Sequence, residues 1–140
     1  AAARCKVAAR YDAAFSGLKT VRKPLKSVFS SHVYHQYTVQ LKLVGDYTDT
    51  AKLRESLQSF LKEKGIPSMV YYPLPLQAQD AYKWMARTPG NMNEAARLSQ
   101  CVLSLPIHTE MTKGEQEYII DAILDFYSNL VESNNIDERK

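Results

Sequence analysis

Residues 32–44, HVYHQYTVQLKLV, alternate between two sets of side chains over nearly their whole length. A period of two belongs to a strand with one buried face, whereas a helix repeats its apolar residues at three and four. Val33, His35, Tyr37, Val39, Leu41 and Leu43 therefore fall on one face, and His32, Tyr34, Gln36, Thr38, Gln40 and Lys42 on the other. An apolar strand face has to be covered by a second layer.

The covering layer is legible in four helical stretches. Residues 3–18 repeat Val7, Tyr11, Ala14 and Leu18 at helical spacing, and Gly17 suits their end. No clear cap precedes this helix, which is expected either of a piece of a longer protein or of a chain whose first Met was removed. In residues 49–65, Asp49 can cap a helix whose stripe is Leu53, Leu57, Phe60 and Leu61, with Lys62, Lys64 and Gly65 at its end. Residues 91–101 follow a capping pair, Asn91 and Glu94, and Thr112 with Glu115 forms a capping box for the last helix. That helix carries Ile119, Ile120, Ile123, Leu124, Tyr127 and Leu130, and residues 132–140 read as a polar tail.

Between the helices, residues 66–72 and 102–106 read as short strands ended by Pro73 and Pro106, with a helical turn at 79–86. The order α–β–α–β–α–β–α implies an α+β fold. It is a two-layer sandwich, with helices on one face of a small antiparallel or mixed sheet of three to four strands. The length of 140 residues suits one domain with its own core.

Several functions are disfavoured. No apolar run reaches membrane-spanning length. A net charge of +3 is too small to imply nucleic acid. Lys19, Arg22, Lys23 and Lys26 form a basic loop that could bind an anion, but they read better as a solvated turn without interleaved aromatics. Cys5 and Cys101 follow no metal-ligand spacing, and the opening AAARCKVAAR lacks the apolar core of a signal peptide. Reduced thiols in the cytoplasm are the expectation. The five glycines form no phosphate loop, and no nucleophile elbow is present.

The candidate ligand-facing residues are histidines, tyrosines and a glutamine. His32 and His35 point to opposite faces of a strand and cannot share a metal from it. His35 is a core histidine or a general base, and Tyr34 a ligand contact or a surface strand residue. His108 lies in a loop after a strand, as a functional residue or a spacer. SMVYYPLPLQAQDAY, residues 68–82, concentrates rigid prolines with Tyr71, Tyr72, Gln77 and Gln79. Stiffened aromatics with a few polar groups suit either the wall of a small-molecule site or a packing corner.

Taken together, HVYHQYTVQL, GIPSMVYYPLPLQAQDAY and EAARLSQCVLSLPIHTEMTKGEQEYIIDAI resemble the C-terminal part of the DegT/DnrJ-type sugar aminotransferases. The family pattern is H-x-Y-H-x-Y, then G-I-x-x-x-x-H-Y-P-x-P-L-H-x-Q-x-x-Y, then L-S-L-P-x-H-P. His32, Tyr34, His35 and Tyr37 match the first motif. Tyr72, Pro73, Pro75, Leu76, Gln79 and Tyr82 match the second, and Leu105, Pro106 and His108 the third. Tyr71 and Gln77 replace histidines of the family pattern, and Thr109 replaces a proline. The resemblance covers residues 4–130.

The resemblance implies that residues 1–131, including a leading helix at 1–18, form the small domain of an enzyme dependent on pyridoxal 5'-phosphate. That enzyme would move an amino group, from glutamate, onto a nucleotide-linked keto-sugar. It implies a substrate-binding set of Tyr34, His35, Tyr71, Tyr72, Gln77 and His108. The family's cofactor-binding lysine and its aspartate would belong to a large domain absent from this chain. Alone, the chain would then bind no cofactor, carry no catalytic residue and be inactive. A homodimer, a cytoplasmic location and a role in cell-surface polysaccharide, including lipopolysaccharide, are the further implications, with antibiotic sugars second. The alternative is a free-standing ligand-binding or regulatory α+β module.

Overall fold

The computed structural model describes residues 1–84 and 92–137, with side chains as far as residue 132. The elements run α1 (Ala2–Ala14), β1 (Val21–Arg22), β2 (Tyr37–Leu41), α2 (Thr50–Glu63), α3 (Asn93–Cys101), β3 (Val102–Leu105) and α4 (Lys113–Asp137). Among the described residues between α2 and α3, Leu76–Ala78 form a 3-10 turn. The fold is α+β, as the sequence implied.

β2 is the central strand of an antiparallel sheet ordered β1-β2-β3. Val21 pairs with Leu41 on one side, and Tyr37 pairs with Leu105 on the other. Tyr37, Val39 and Leu41 are buried, so the period of two holds through this strand. They join Leu53, Leu57 and Leu61 of α2, Ile119 and Ile123 of α4, and Val7 and Tyr11 of α1 in one core.

The caps explain where two helices lie. The Ala51 amide donates to Asp49 Oδ1 at 2.8 Å, and Gly65 takes φ +71 just beyond α2. The Thr112 amide donates to Glu115 Oε2 at 2.8 Å, and the Glu115 amide returns a 3.2 Å bond to Thr112 Oγ1. The Thr112 amide, and after it the Thr112 hydroxyl donating to the same Oε2 at 2.7 Å, lower the pKa of the Glu115 carboxyl. Buried Gln116 then ties α4 to α1, donating to the Val7 carbonyl and accepting from Arg10.

Several local expectations change. The long strand shortens to Tyr37–Leu41, because Tyr34 takes φ +47 and breaks the extended run. One left-handed residue reverses the faces before β2. Tyr34, placed on the polar face, is 5% exposed, whereas Val33, placed on the apolar face, is 58% exposed. His35, placed with Val33, is exposed as well. The basic loop contains β1, an edge strand of two residues that is too short to show a pattern. Residues 66–72 make only an isolated bridge between Met69 and Ser104, since Pro67 has no amide to donate.

α3 has Met92 at its N-cap, without a side-chain cap, and Asn91 lies outside the described residues. Glu94 pairs with Arg97 at 2.5 Å, and this bond lowers its pKa. The end of the expected turn at 79–86 also falls outside the described residues. α4 continues through the expected polar tail as far as Asp137, since extending a formed helix is far easier than starting one. Arg54, in a helix stripe read as aliphatic, is buried. Its Nη1 donates to the carbonyls of Ser99 at 2.6 Å and Val102 at 3.4 Å, placing a cation at the negative end of α3.

Candidate functional site

A cleft of about 200 Å³ opens where three separate stretches meet. His35 and Gln36 come from the loop before β2, Ser68 and Tyr71 from the proline-flanked stretch, and Ser104 and Pro106 from the end of β3. The register explains the meeting. The Met69–Ser104 bridge holds the 66–72 stretch against β3, and the Tyr37–Leu105 pair brings the start of β2 to the same corner.

Among the described residues, none that lines the cleft carries a fixed charge. Its polar groups are hydroxyls, an amide and an imidazole, which can both donate and accept. Such a set matches a ligand with several hydroxyls better than a phosphate, which would call for Arg, Lys or a row of amides. Nor does it fit the anchoring of pyridoxal 5'-phosphate, because the lining has no amine to bind the aldehyde and no carboxylate for the ring nitrogen.

The six residues singled out in the sequence do not form one cluster. His35 and Tyr71 share the cleft. His108 lines a neighbouring cavity of about 290 Å³ with Met111, Glu115 and Tyr118, which meets the first at Pro67 and Pro106. Tyr72 is 75% exposed and lines neither cavity. Gln77 lies on the 3-10 turn, half-buried. Gln36, Ser68 and Ser104 were missed. Ser104 could have been found from the strand pairing, since its hydroxyl meets that of Thr38 at 2.7 Å.

Tyr34 lies behind the cleft in a column of rings. The His32 and Tyr34 rings meet at a tilt at 4.1 Å, Tyr34 and Tyr37 stack at 6.3 Å, and Tyr37 meets Tyr11 at 4.9 Å. The Tyr37 hydroxyl donates to Asp12 Oδ1 at 2.7 Å, and the Tyr11 hydroxyl donates to the Pro106 carbonyl at 3.0 Å. Burial raises the pKa of all three phenols, and the Asp12 carboxylate adds to the shift at Tyr37 and Tyr34. These groups stay protonated and structural.

The family model for the DegT/DnrJ/EryC1/StrS aminotransferase family matches residues 1–124. A pleiotropic regulatory protein of Geobacillus stearothermophilus is 40% identical over 96 residues, covering 69% of this chain and 23% of that protein. The UDP-2-acetamido-2-deoxy-3-oxo-D-glucuronate aminotransferase of Pseudomonas aeruginosa is 32% identical over 122 residues, 87% of this chain and 30% of that protein. Among solved structures, S. venezuelae DesV in complex with a ketimine intermediate superposes with a TM-score of 0.76 at 27% identity. That match covers 89% of this chain and 31% of the DesV chain. The chain thus spans less than a third of the length of these proteins, and it belongs to the DegT/DnrJ/EryC1/StrS aminotransferase family.

Proposed function

We propose that this chain is the C-terminal small domain, residues 1–131, of a transaminase acting on nucleotide-linked keto-sugars, and that its cleft is the sugar-facing wall. One observation carries the reading. His35 and Tyr71, from two motifs 36 positions apart, meet in a cleft whose described lining consists of neutral hydrogen-bonding and apolar groups. The imidazole, the phenol and the Ser68 and Ser104 hydroxyls bind and orient sugar hydroxyls there. Tyr71 stands where the family pattern has histidine, which biases the site toward hydrogen bonding over proton transfer near neutral pH.

Pyridoxal 5'-phosphate, held by the large domain, supplies the carrier for the amino group taken from glutamate. The surface supports a covering partner: Phe29 is 95% exposed, Trp84 80% and Tyr72 75%. These rings leave apolar surface that a covering body would bury. That body is the large domain, with a second protomer beside it, in a cytoplasmic enzyme of cell-surface polysaccharide synthesis. A regulatory role is the second reading, favoured by the name of the Geobacillus relative. Saturable binding of a small ligand by the isolated chain, without cofactor, would support it.

The test is amino transfer from glutamate to UDP- and dTDP-linked keto-sugars. The polypeptide extended upstream of Ala1 turns over, and the 140-residue chain alone does not. Turnover by the short chain, or none by the long one on any keto-sugar, overturns the reading.

A further inference from the structure

The loop before β2 is built around an uncommon backbone. Tyr34 is the one non-glycine residue with positive φ, +47, among the described residues. A bulky aromatic in that conformation is an outlier that its surroundings must hold. Three contacts do so. The Tyr34 amide donates to Nδ1 of His32 at 3.0 Å, closing a local turn, and the two rings meet at a tilt with centroids 4.1 Å apart. The Tyr34 ring is buried beside Tyr37, whose hydroxyl is fixed by Asp12 of α1. The His32 carbonyl accepts from Cys5 Sγ at 3.3 Å, so α1 clamps the loop at a second point.

This backbone has a consequence for the cleft. In a straight strand His35 would share the face of Tyr37, Val39 and Leu41 and be buried with them. The left-handed turn exchanges the faces: the Tyr34 ring enters the core, and His35 swings out to line the same cleft as Tyr71. We infer that His32 and Tyr34 are positioning residues, which present His35 to the cleft without touching its occupant. The geometry stands on these contacts alone, and its importance for recognising a sugar rests on the function proposed above.

Nuclear magnetic resonance of the 140-residue chain tests it. Tyr71 is 51% exposed, so Tyr71→Ala removes a ring from the cleft without opening the core. In the parent sequence this change shifts the ring signals of His35. The same shift is expected in a His32→Asn background, since the Asn Oδ1 can take the place of the imidazole Nδ1 as acceptor. It is lost in His32→Ala, while the β2–β3 amide signals stay in place. If His32→Ala does not fold, His32→Gln, whose acceptor lies one bond further out, replaces it and is expected to lose the shift. An equal Tyr71 effect in every background overturns the inference, as does no effect in any.

A second arm uses the longer polypeptide. His32→Ala raises KM for the sugar at least several-fold with KM for glutamate unchanged, and His32→Asn restores it. An unchanged sugar KM overturns the positioning role. Absence of transamination removes the function proposed above and leaves the resonance arm to decide the geometry.

Discussion

Two tyrosine-rich regions lie within one small fold and have opposite fates. Tyr11, Tyr34 and Tyr37 are at most 5% exposed and stack into a column between α1 and the sheet. Tyr71, Tyr72 and Tyr82, in the proline-flanked stretch, are 51%, 75% and 44% exposed. The difference is set by backbone. The first group sits on a helix, on a strand and in a turn that ends in that strand. In the second, prolines withhold amides from the ladder, so the rings stay at the rim. A phenol is an apolar body with a polar tip, and the backbone decides which of the two is used.

The largest expected consequence is in stability. Tyr37→Ala or Tyr11→Ala empties a fully packed position and should cost about 3–5 kcal/mol, the range for large aromatic-to-alanine changes in cores. Tyr72→Ala should stay within about 0.5 kcal/mol, as for exposed sites away from special contacts. Urea unfolding of the three variants measures this, and equal losses would break the comparison.

Alkali should separate the regions next. Burial raises the pKa of Tyr11, Tyr37 and Tyr127 above the ordinary phenol value of 10.0. Above that value the unfolded chain loses these protons while the folded chain keeps them. Stability then falls as pH rises, by up to about 1.4 kcal/mol per pH unit for each phenol. Denaturation midpoints from pH 9 to 11.5 should drop for the parent chain. They should drop less steeply for Tyr127→Phe, which removes one buried phenol that keeps its proton only in the folded chain. The Tyr127 hydroxyl has no hydrogen-bond partner among the described residues, so its removal leaves nothing unpaired.

What could be read in the sequence follows the same division. α2 and α4 announced themselves because Asp49, Thr112 and Glu115 act through the nearest amides, so their chemistry is local. Tyr37, Val39 and Leu41 were equally clear, since three alternate positions share one buried face. The alternation failed at Tyr34, where a turn closed locally by His32 is held from α1 through Cys5 on the His32 carbonyl and Asp12 on Tyr37, 27 and 25 positions apart. Arg54 escaped for a similar reason: its partners are carbonyls of a segment 45 positions onward. The motif resemblance placed His35 and Tyr71 in one set of six residues, but the exposure of His35 depended on that same turn.

The smallest effect on stability should come with a clear effect on recognition. Tyr71→Phe removes one hydroxyl from the cleft wall and leaves a half-exposed ring in place, so the unfolding midpoint should not move measurably. If that hydroxyl bonds a sugar, its loss costs about 0.5–1.5 kcal/mol of binding, or a factor of about two to ten in KM for the keto-sugar. KM for the amino donor should be unchanged. Tyr72→Phe, on the same stretch but outside the cleft, is the control and should alter neither. A sugar KM that responds to Tyr72 and not to Tyr71 would move the recognition surface from the cleft to the exposed rim.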